Sequence, residues 1–166
     1  MKKTIPSLIF ISMLLWLLQS CSGSGFQLRK SADLPSDHIN IALQGIESES
    51  DLYKTLEKAI IDAGGQIVPL LKASAVITVS NLKQDKKIIA YTGQRIAREY
   101  MIYLRFDYHV KVGTNASQPH LIRLDKTLIY DANFVLGKAE EELRIQQSLR
   151  EEAARLILLR LRYAKN

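Results

Sequence analysis

Residues 102–111 alternate apolar and polar side chains more regularly than any other part of the chain. The two sets are Ile102, Leu104, Phe106, Tyr108 and Val110, and Tyr103, Arg105, Asp107, His109 and Lys111. Successive side chains of a β-strand point to opposite faces, so the pattern predicts a long strand with one buried face and one wet face. Such a strand belongs to an antiparallel sheet, because the strands of parallel sheets are buried on both faces.

Shorter segments predict the rest of the sheet. Residues 39–43 and 75–79 alternate as strands do, residues 112–119 are typical of a hairpin loop, and residues 121–131 form the returning strand. The polar stretch 83–87 indicates an exposed turn. Residues 88–92 form a further β-prone run, which is either separate or the first part of the long strand, bent at Gly93.

Two segments have helical periodicity. The first begins after an N-cap at Ser48 or Ser50 and ends at Gly64. The second runs from Leu136 to the end of the chain, and its apolar run 156–159 is wider than one stripe requires. This run either packs on two layers at once or leaves an exposed edge for a partner. The order β-α-β-β-β-α predicts an α+β two-layer sandwich, with two helices on one face of a mostly antiparallel four-stranded sheet.

The N-terminal segment has the layout of a secretory signal peptide. Lys2 and Lys3 precede the apolar residues 8–18, and the small residue Ser20 follows. These 11 residues, of which only Ser12 is not apolar, extend over only about 16 Å as a helix, roughly half the hydrocarbon thickness of a bilayer. We therefore expect residues 1–20 to be a cleaved signal peptide, residues 21–36 a tether and residues 37–166 a single α+β domain.

Cys21, the only cysteine, follows this segment directly. The residues 18–21, Leu-Gln-Ser-Cys, resemble the lipobox of bacterial lipoproteins, in which cleavage leaves the cysteine first and acyl chains such as palmitate modify it. Two or more chains anchor a protein stably, since each buried methylene contributes about 0.8 kcal/mol. A buried core cysteine is the alternative, but the flanking residues are polar. By resemblance to lipoprotein sorting rules, Ser22 indicates the outer membrane.

Charge restricts the class of partner. Removing residues 1–20 from the 166-residue chain leaves 146 residues, and two of the six net positive charges belong to the removed Lys2 and Lys3. The remaining net positive charge favours acidic partners. A lipoprotein that faces the periplasm meets phosphorylated lipids rather than nucleic acid.

The sequence contains no pattern that points to catalysis or to a cofactor. His38, His109 and His120 lack ligand spacing, so no metal site is predicted. The chain has no nucleophile-elbow, phosphate-loop or zinc-protease motif. Asp107 and His109 share a strand face, where exposed polar residues are expected in any case. We expect the protein not to be an enzyme.

Several short motifs occur in a consistent order. They are Gly25-Phe26-Gln27-Leu28-Arg29 behind the lipobox, Gly93-Gln94 followed by Arg98-Glu99-Tyr100, Tyr130-Asp131 leading into Leu136-Gly137-Lys138, and a closing helix with Glu141 and Arg150-Glu151-Glu152-Ala153-Ala154. In this order and spacing the chain resembles the LptE family of LPS-assembly lipoproteins from the outer membrane. The resemblance covers nearly the whole mature chain.

The resemblance implies a partner and a ligand. Members of that family sit as a plug in the lumen of the LptD β-barrel, assist its assembly and bind lipopolysaccharide. The chain would then be lipid-anchored in the cell outer membrane, facing the periplasm and the barrel lumen. Lys138 matches the basic residue of the family's Leu-x-Lys motif. A second family arginine, ahead of Gly93, is not reproduced, and Arg95 or Arg98 would have to supply its charge from a shifted position.

Two alternatives remain open at this point. Lys138 is equally well explained as an ordinary solvated lysine in the first turn of a helix. The whole chain is also consistent with a generic periplasm-facing adaptor or ligand-binding lipoprotein of another envelope machine, because one fold serves many functions. A lipoprotein hydrolase is disfavoured, since the nucleophile motif is absent.

Overall fold

The computed structural model describes residue 34 and residues 39–116, 118–130 and 137–164. The predicted signal peptide, Cys21 and nearly all of the tether lie outside the described residues. In chain order, the elements are β1 (Asn40–Gln44), α1 (Asp51–Asp62), β2 (Gln66–Ile67), a 3-10 turn (Leu70–Lys72), β3 (Ala75–Tyr91), β4 (Ala97–Val112), β5 (Asn115–Ala116), β6 (His120–Ile129) and α2 (Lys138–Tyr163).

The strands form one mixed sheet. Its order is β2-β1-β3-β4, and both β5 and β6 pair with β4. The pairs of β4 with β3, β5 and β6 are antiparallel, whereas β1 runs parallel to both β2 and β3. The α+β prediction with two helices on a sheet is confirmed, but the four-stranded, mostly antiparallel sheet is wrong, because the described residues form six strands in a mixed sheet. The parallel pairs arise because α1 carries the chain back across the sheet after β1.

The hairpin of β3 and β4 corrects a second expectation. The predicted turn at residues 83–87 lies inside β3, where Lys86 pairs with Ile102 and Lys87 with Met101. The hairpin turn is at residues 92–96 instead, closed by a hydrogen bond from the Thr92 N–H to the Ile96 carbonyl at 2.8 Å. Gly93 is therefore part of this turn and not a bend within one strand.

Helix α1 begins where its cap predicts. Ser50, not Ser48, is the N-cap, and its hydroxyl accepts a hydrogen bond from the Tyr53 N–H at 3.3 Å. Ala63 ends the helix, and Gly64 follows in the left-handed region with φ +83°. The buried side chains of α1 are Leu52, Leu56 and Ile60. Their spacing of four residues places them on one stripe, which packs toward the sheet.

The apolar face of β4 forms the centre of the core, as its alternation predicts. Ile102, Leu104 and Phe106 are completely buried, and so are Leu56 of α1 and Ile157 of α2. Burying a side chain of this size contributes roughly 1.5–3 kcal/mol to the free energy of unfolding. Because α2 packs on α1, β4 and β6, one core holds both helices to the same face of the sheet.

Candidate functional site

Lys138 is the first residue of α2, and its side chain is held close to the protein. Its ammonium Nζ lies 2.8 Å from the carboxylate Oε2 of Glu141, one turn further along the helix. The Lys138 side chain is only 19% exposed. This is less exposure than the side chain of Lys86 has, at 46%. The carboxylate partner of Lys138 is half exposed and can exchange for another anion.

The backbone of Arg98 is hydrogen-bonded to Tyr130, just beyond the end of β6. The Tyr130 N–H donates a hydrogen bond of 2.6 Å to the Arg98 carbonyl. The Tyr130 ring packs edge-on against the Tyr100 ring, with 6.1 Å between the ring centroids. The backbone of the exposed Arg98 is thus joined to one of the two rings of this aromatic pair.

Lys86 of β3 contacts both α2 and the Tyr100 ring. Its Nζ donates to the carboxylate Oε2 of Glu142 at 2.7 Å and lies 5.7 Å from the centroid of the Tyr100 ring. The hydrogen bond to Glu142 raises the pKa of the Lys86 ammonium above its ordinary value of 10.5, despite opposing desolvation. Lys86 is therefore a full cation at neutral pH. It stands over an aromatic face, which is a favourable position for an ammonium group.

We call the surface formed by Lys86, Arg98, Tyr100, Tyr130 and Lys138 the start-of-helix surface. Its positive charges come from three separate elements, and the Lys86 ammonium lies over one ring of the tyrosine pair. Ammonium and guanidinium groups are the natural partners of phosphate oxygens, and arginine can bind them in a bidentate manner. This arrangement can hold a phosphorylated amphiphile by its head while the tyrosine rings contact its apolar part.

Arg95 is placed differently from the other predicted basic residues. It lies in the hairpin turn of residues 92–96, and its N–H donates to the Thr92 carbonyl at 2.9 Å. Its φ of +62° is in the left-handed region. Within the part of the chain that the structure describes, no hydrogen bond or ion pair connects Arg95 with Lys138 or Arg98. Arg98 likewise makes no such contact with Lys138 among the described residues, so both arginines remain candidates for the second basic position.

The sequence interpretation missed Lys86 and assigned it to an exposed turn. Lys86 and Glu142 are 56 positions apart in sequence. The surrounding part of β3 is exposed on both faces, so alternation gave no signal there. Tyr100 and Tyr130 belong to the short motifs on which the family resemblance rests. They are the part of this surface that the sequence could indicate.

The described residues contain no group of three or more His, Cys, Asp or Glu side chains that could hold a metal ion. The carboxylate of Asp107 accepts a hydrogen bond from the Asn81 side-chain amide at 2.7 Å. Its hydrogen-bond partner is therefore Asn81, and no catalytic pair with His109 is needed to explain its position.

A family model described as LptE, lipopolysaccharide-assembly, matches residues 38–161. The chain belongs to the LptE family. The match includes both helices nearly completely and every strand, so it covers the start-of-helix surface. Membership makes this an LPS-assembly lipoprotein of the cell envelope, in a family that is not enzymatic. A comparison with individually curated proteins found no match.

Solved structures of bacterial lipoproteins have the same fold as this LptE-family chain. The NMR structure of lipoprotein B from Nitrosomonas europaea is 22% identical, with a TM-score of 0.66, over 84% of this chain and 91% of that one. The crystal structure of rare lipoprotein B from Shewanella oneidensis is 17% identical, with a TM-score of 0.63, over 74% of this chain and 92% of that one. A minor lipoprotein from Acinetobacter baumannii is 17% identical, with a TM-score of 0.60, over 75% and 90%.

These three similarities support the fold. No helix among the described residues of this LptE-family chain combines the length and the apolar character needed to cross a bilayer.

Proposed function

We propose that this chain is an outer-membrane lipoprotein that works with an LptD-type β-barrel, as its plug and assembly factor, to transport lipopolysaccharide and insert it into the outer leaflet. In this proposal residues 1–20 are removed, Cys21 carries the acyl chains, and residues 21–36 tether the domain of residues 37–166 to the membrane. The domain faces the periplasm and the barrel lumen. Membership of the LptE family supports the role in lipopolysaccharide assembly.

The observation that carries the ligand part of the proposal is the start-of-helix surface. Lys86 and Lys138 each hold a carboxylate at 2.7–2.8 Å, and both carboxylates belong to the first turns of α2. A phosphate of lipid A would replace a carboxylate on either lysine and extend to Arg98. The Tyr100 and Tyr130 rings would contact the sugar or the first methylenes of the lipid.

The expected strength of these contacts suits transfer. Exposed ion pairs contribute about 0–1 kcal/mol each, because water and salt screen them. The lysines also keep internal partners in the absence of ligand, so little free energy separates the bound and free states. A surface of this kind binds lipopolysaccharide weakly and releases it readily, as a transport step requires.

The test is the amount of lipopolysaccharide that co-purifies with the affinity-tagged full-length chain. We expect Lys86→Gln combined with Lys138→Gln to lower this amount about fivefold, because two weak phosphate contacts are lost. Arg98→Gln is expected to lower it further if Arg98 supplies the second basic group, and Arg95→Gln is expected to do so if Arg95 supplies it. Lys54→Gln is the matched control, since Lys54 is also an exposed lysine in an ion pair, with Glu49 at 3.1 Å.

The same variants give the outcome against the proposal. If lipopolysaccharide co-purifies equally with the double variant and with Lys54→Gln, and the outer membrane remains impermeable, the start-of-helix surface is not the binding site. Lys138 would then be a structural lysine of the first helical turn.

A further inference from the structure

A cavity of about 390 Å³ lies between the C-terminal part of α2 and the beginning of β6. Most of its wall is apolar and includes Leu121, Ile122, Leu156 and Leu159. Leu121 and Leu159 are 49% and 43% exposed, so part of this apolar wall is open to solvent. Cavities of about 300–1,000 Å³ accommodate small molecules, and apolar walls with few polar groups are typical of them.

Two aromatic polar side chains line the inner end of the cavity. Tyr108 is only 6% exposed, and its ring centroid lies 5.8 Å from that of His120. The His120 Nε2 atom is buried and has no hydrogen-bond partner among the described residues. Buried polar atoms without a partner are rare in proteins. The imidazole lines the cavity through its other atoms, because Nε2 itself has almost no accessible area.

Arg160 gives the cavity its charge. Among the described residues, Arg160 makes no ion pair, and no carboxylate lines the cavity. Burial raises the pKa of Tyr108, and the nearby Arg160 charge acts in the opposite direction. The phenol of Tyr108 is therefore neutral at physiological pH, and the guanidinium charge is not compensated locally. An apolar wall with one uncompensated cation fits an apolar chain that ends in one anionic group.

We propose that this cavity binds a long-chain carboxylate, a single-chain amphiphile with one negative charge. Its carboxylate accepts hydrogen bonds from the Arg160 guanidinium, and its chain lies on Leu156 and Leu159. Lys138 and Leu156 are 18 positions apart on α2, which corresponds to about 27 Å along a helix. The cavity is thus separate from the start-of-helix surface, and the proposal does not depend on lipopolysaccharide binding there.

Photo-cross-linking tests the proposal with the full-length chain purified in a non-ionic detergent. The probe is a palmitate analogue that carries a diazirine in its chain, and mass spectrometry locates the labelled residues. We expect labels at residues 121–122 and 156–163, displaced by palmitate but not by hexadecanol. Arg160→Gln is expected to lower labelling about tenfold, because a charge-assisted hydrogen bond to the carboxylate is lost.

A matched control is available on the same helix. Arg155 is also exposed, and it pairs with Glu152 at 3.9 Å outside the cavity. Arg155→Gln should label like the wild-type chain. Leu159→Asn is a second variant that places a polar group on the apolar wall, and we expect it to lower labelling as well. Thermal melting of each variant confirms that the domain is folded.

Three results would overturn the proposal. Labels scattered over the chain would mean that no specific site exists. Equal labelling of Arg160→Gln and Arg155→Gln would mean that the guanidinium does not hold the head group. Stronger displacement by hexadecyl phosphate than by palmitate would assign the head group to a phosphate ester instead of a carboxylate.

Discussion

The guanidinium Nη1 of Arg150 lies 3.4 Å from the carboxylate Oδ2 of Asp51. The same nitrogen donates a hydrogen bond to the side-chain carbonyl of Gln84, also at 3.4 Å. Arg150 belongs to α2, Asp51 is the first residue of α1, and Gln84 lies in β3. One buried cation therefore connects both helices with the long hairpin. Its side chain is 10% exposed, so the charge depends on these partners.

Asp51→Asn should lower the free energy of unfolding by about 1 kcal/mol. Losing the partner of a fully buried charge costs more, but Asp51 is largely exposed and Gln84 remains in place. In an Arg150→Met background, the same substitution should cost only the few tenths of a kcal/mol that a carboxylate contributes at a helix N-terminus. Urea unfolding of the four chains measures the difference. Equal effects in both backgrounds would mean that the two residues do not interact.

Alkaline pH should destabilise the domain through Tyr108. Burial raises the pKa of this phenol in the folded chain above its ordinary value of 10.0. A raised pKa favours the folded state below the ordinary value, and this stability is lost as pH rises through the folded pKa. We expect the free energy of unfolding to fall more steeply above about pH 10 in the wild-type chain than in Tyr108→Phe. Parallel curves for the two chains would exclude Tyr108 as the cause.

Gly45 and Gly64 should respond very differently to alanine. Both have a left-handed backbone, with φ +78° and +83°, but a Cβ on Gly45 would lie 1.9 Å from the Val79 carbonyl oxygen. A Cβ on Gly64 meets nothing within 4 Å. Gly64→Ala should therefore cost about 1 kcal/mol for the backbone conformation alone. Gly45→Ala should cost more than about 3 kcal/mol, because β3 must also move. Equal melting temperatures would contradict the close approach of this loop to β3.

These examples show what the sequence could predict and what it could not. The strand β4 was predictable because one of its faces is buried along its length, so alternation identified its core residues. The distal half of β3 was not, because it is exposed on both faces and has no period. The direction of β1 depends on pairing with strands far along the chain, and alternation carries no information about direction.

The candidate site divides in the same way. Lys138 was identified through a short local motif, and it lies in the first turn of α2, as the helical periodicity from residue 136 predicted. Lys86 could be identified only from the folded structure. Its two contacts are with other elements, Glu142 of α2 and Tyr100 of β4. The cavity beside Arg160 likewise combines residues from β4, β6 and α2.

Cys21→Ala should separate anchoring from folding. If Cys21 is the acylated residue, the variant loses its membrane association and accumulates as an uncleaved or misplaced precursor. The circular dichroism spectrum and melting temperature of the domain should stay as in the wild-type chain, because surface substitutions usually change stability by less than about 0.5 kcal/mol. An unfolded variant would mean that Cys21 belongs to a core.

The most direct test of the proposed function is affinity purification of the tagged full-length chain from detergent-solubilised outer membranes, followed by quantitative mass spectrometry. The account predicts a large β-barrel protein of the LptD type in a ratio of about one to one, and loss of that barrel when the chain is depleted. Purification without a barrel, or with the components of a different envelope machine while lipopolysaccharide still reaches the outer leaflet normally, would contradict it.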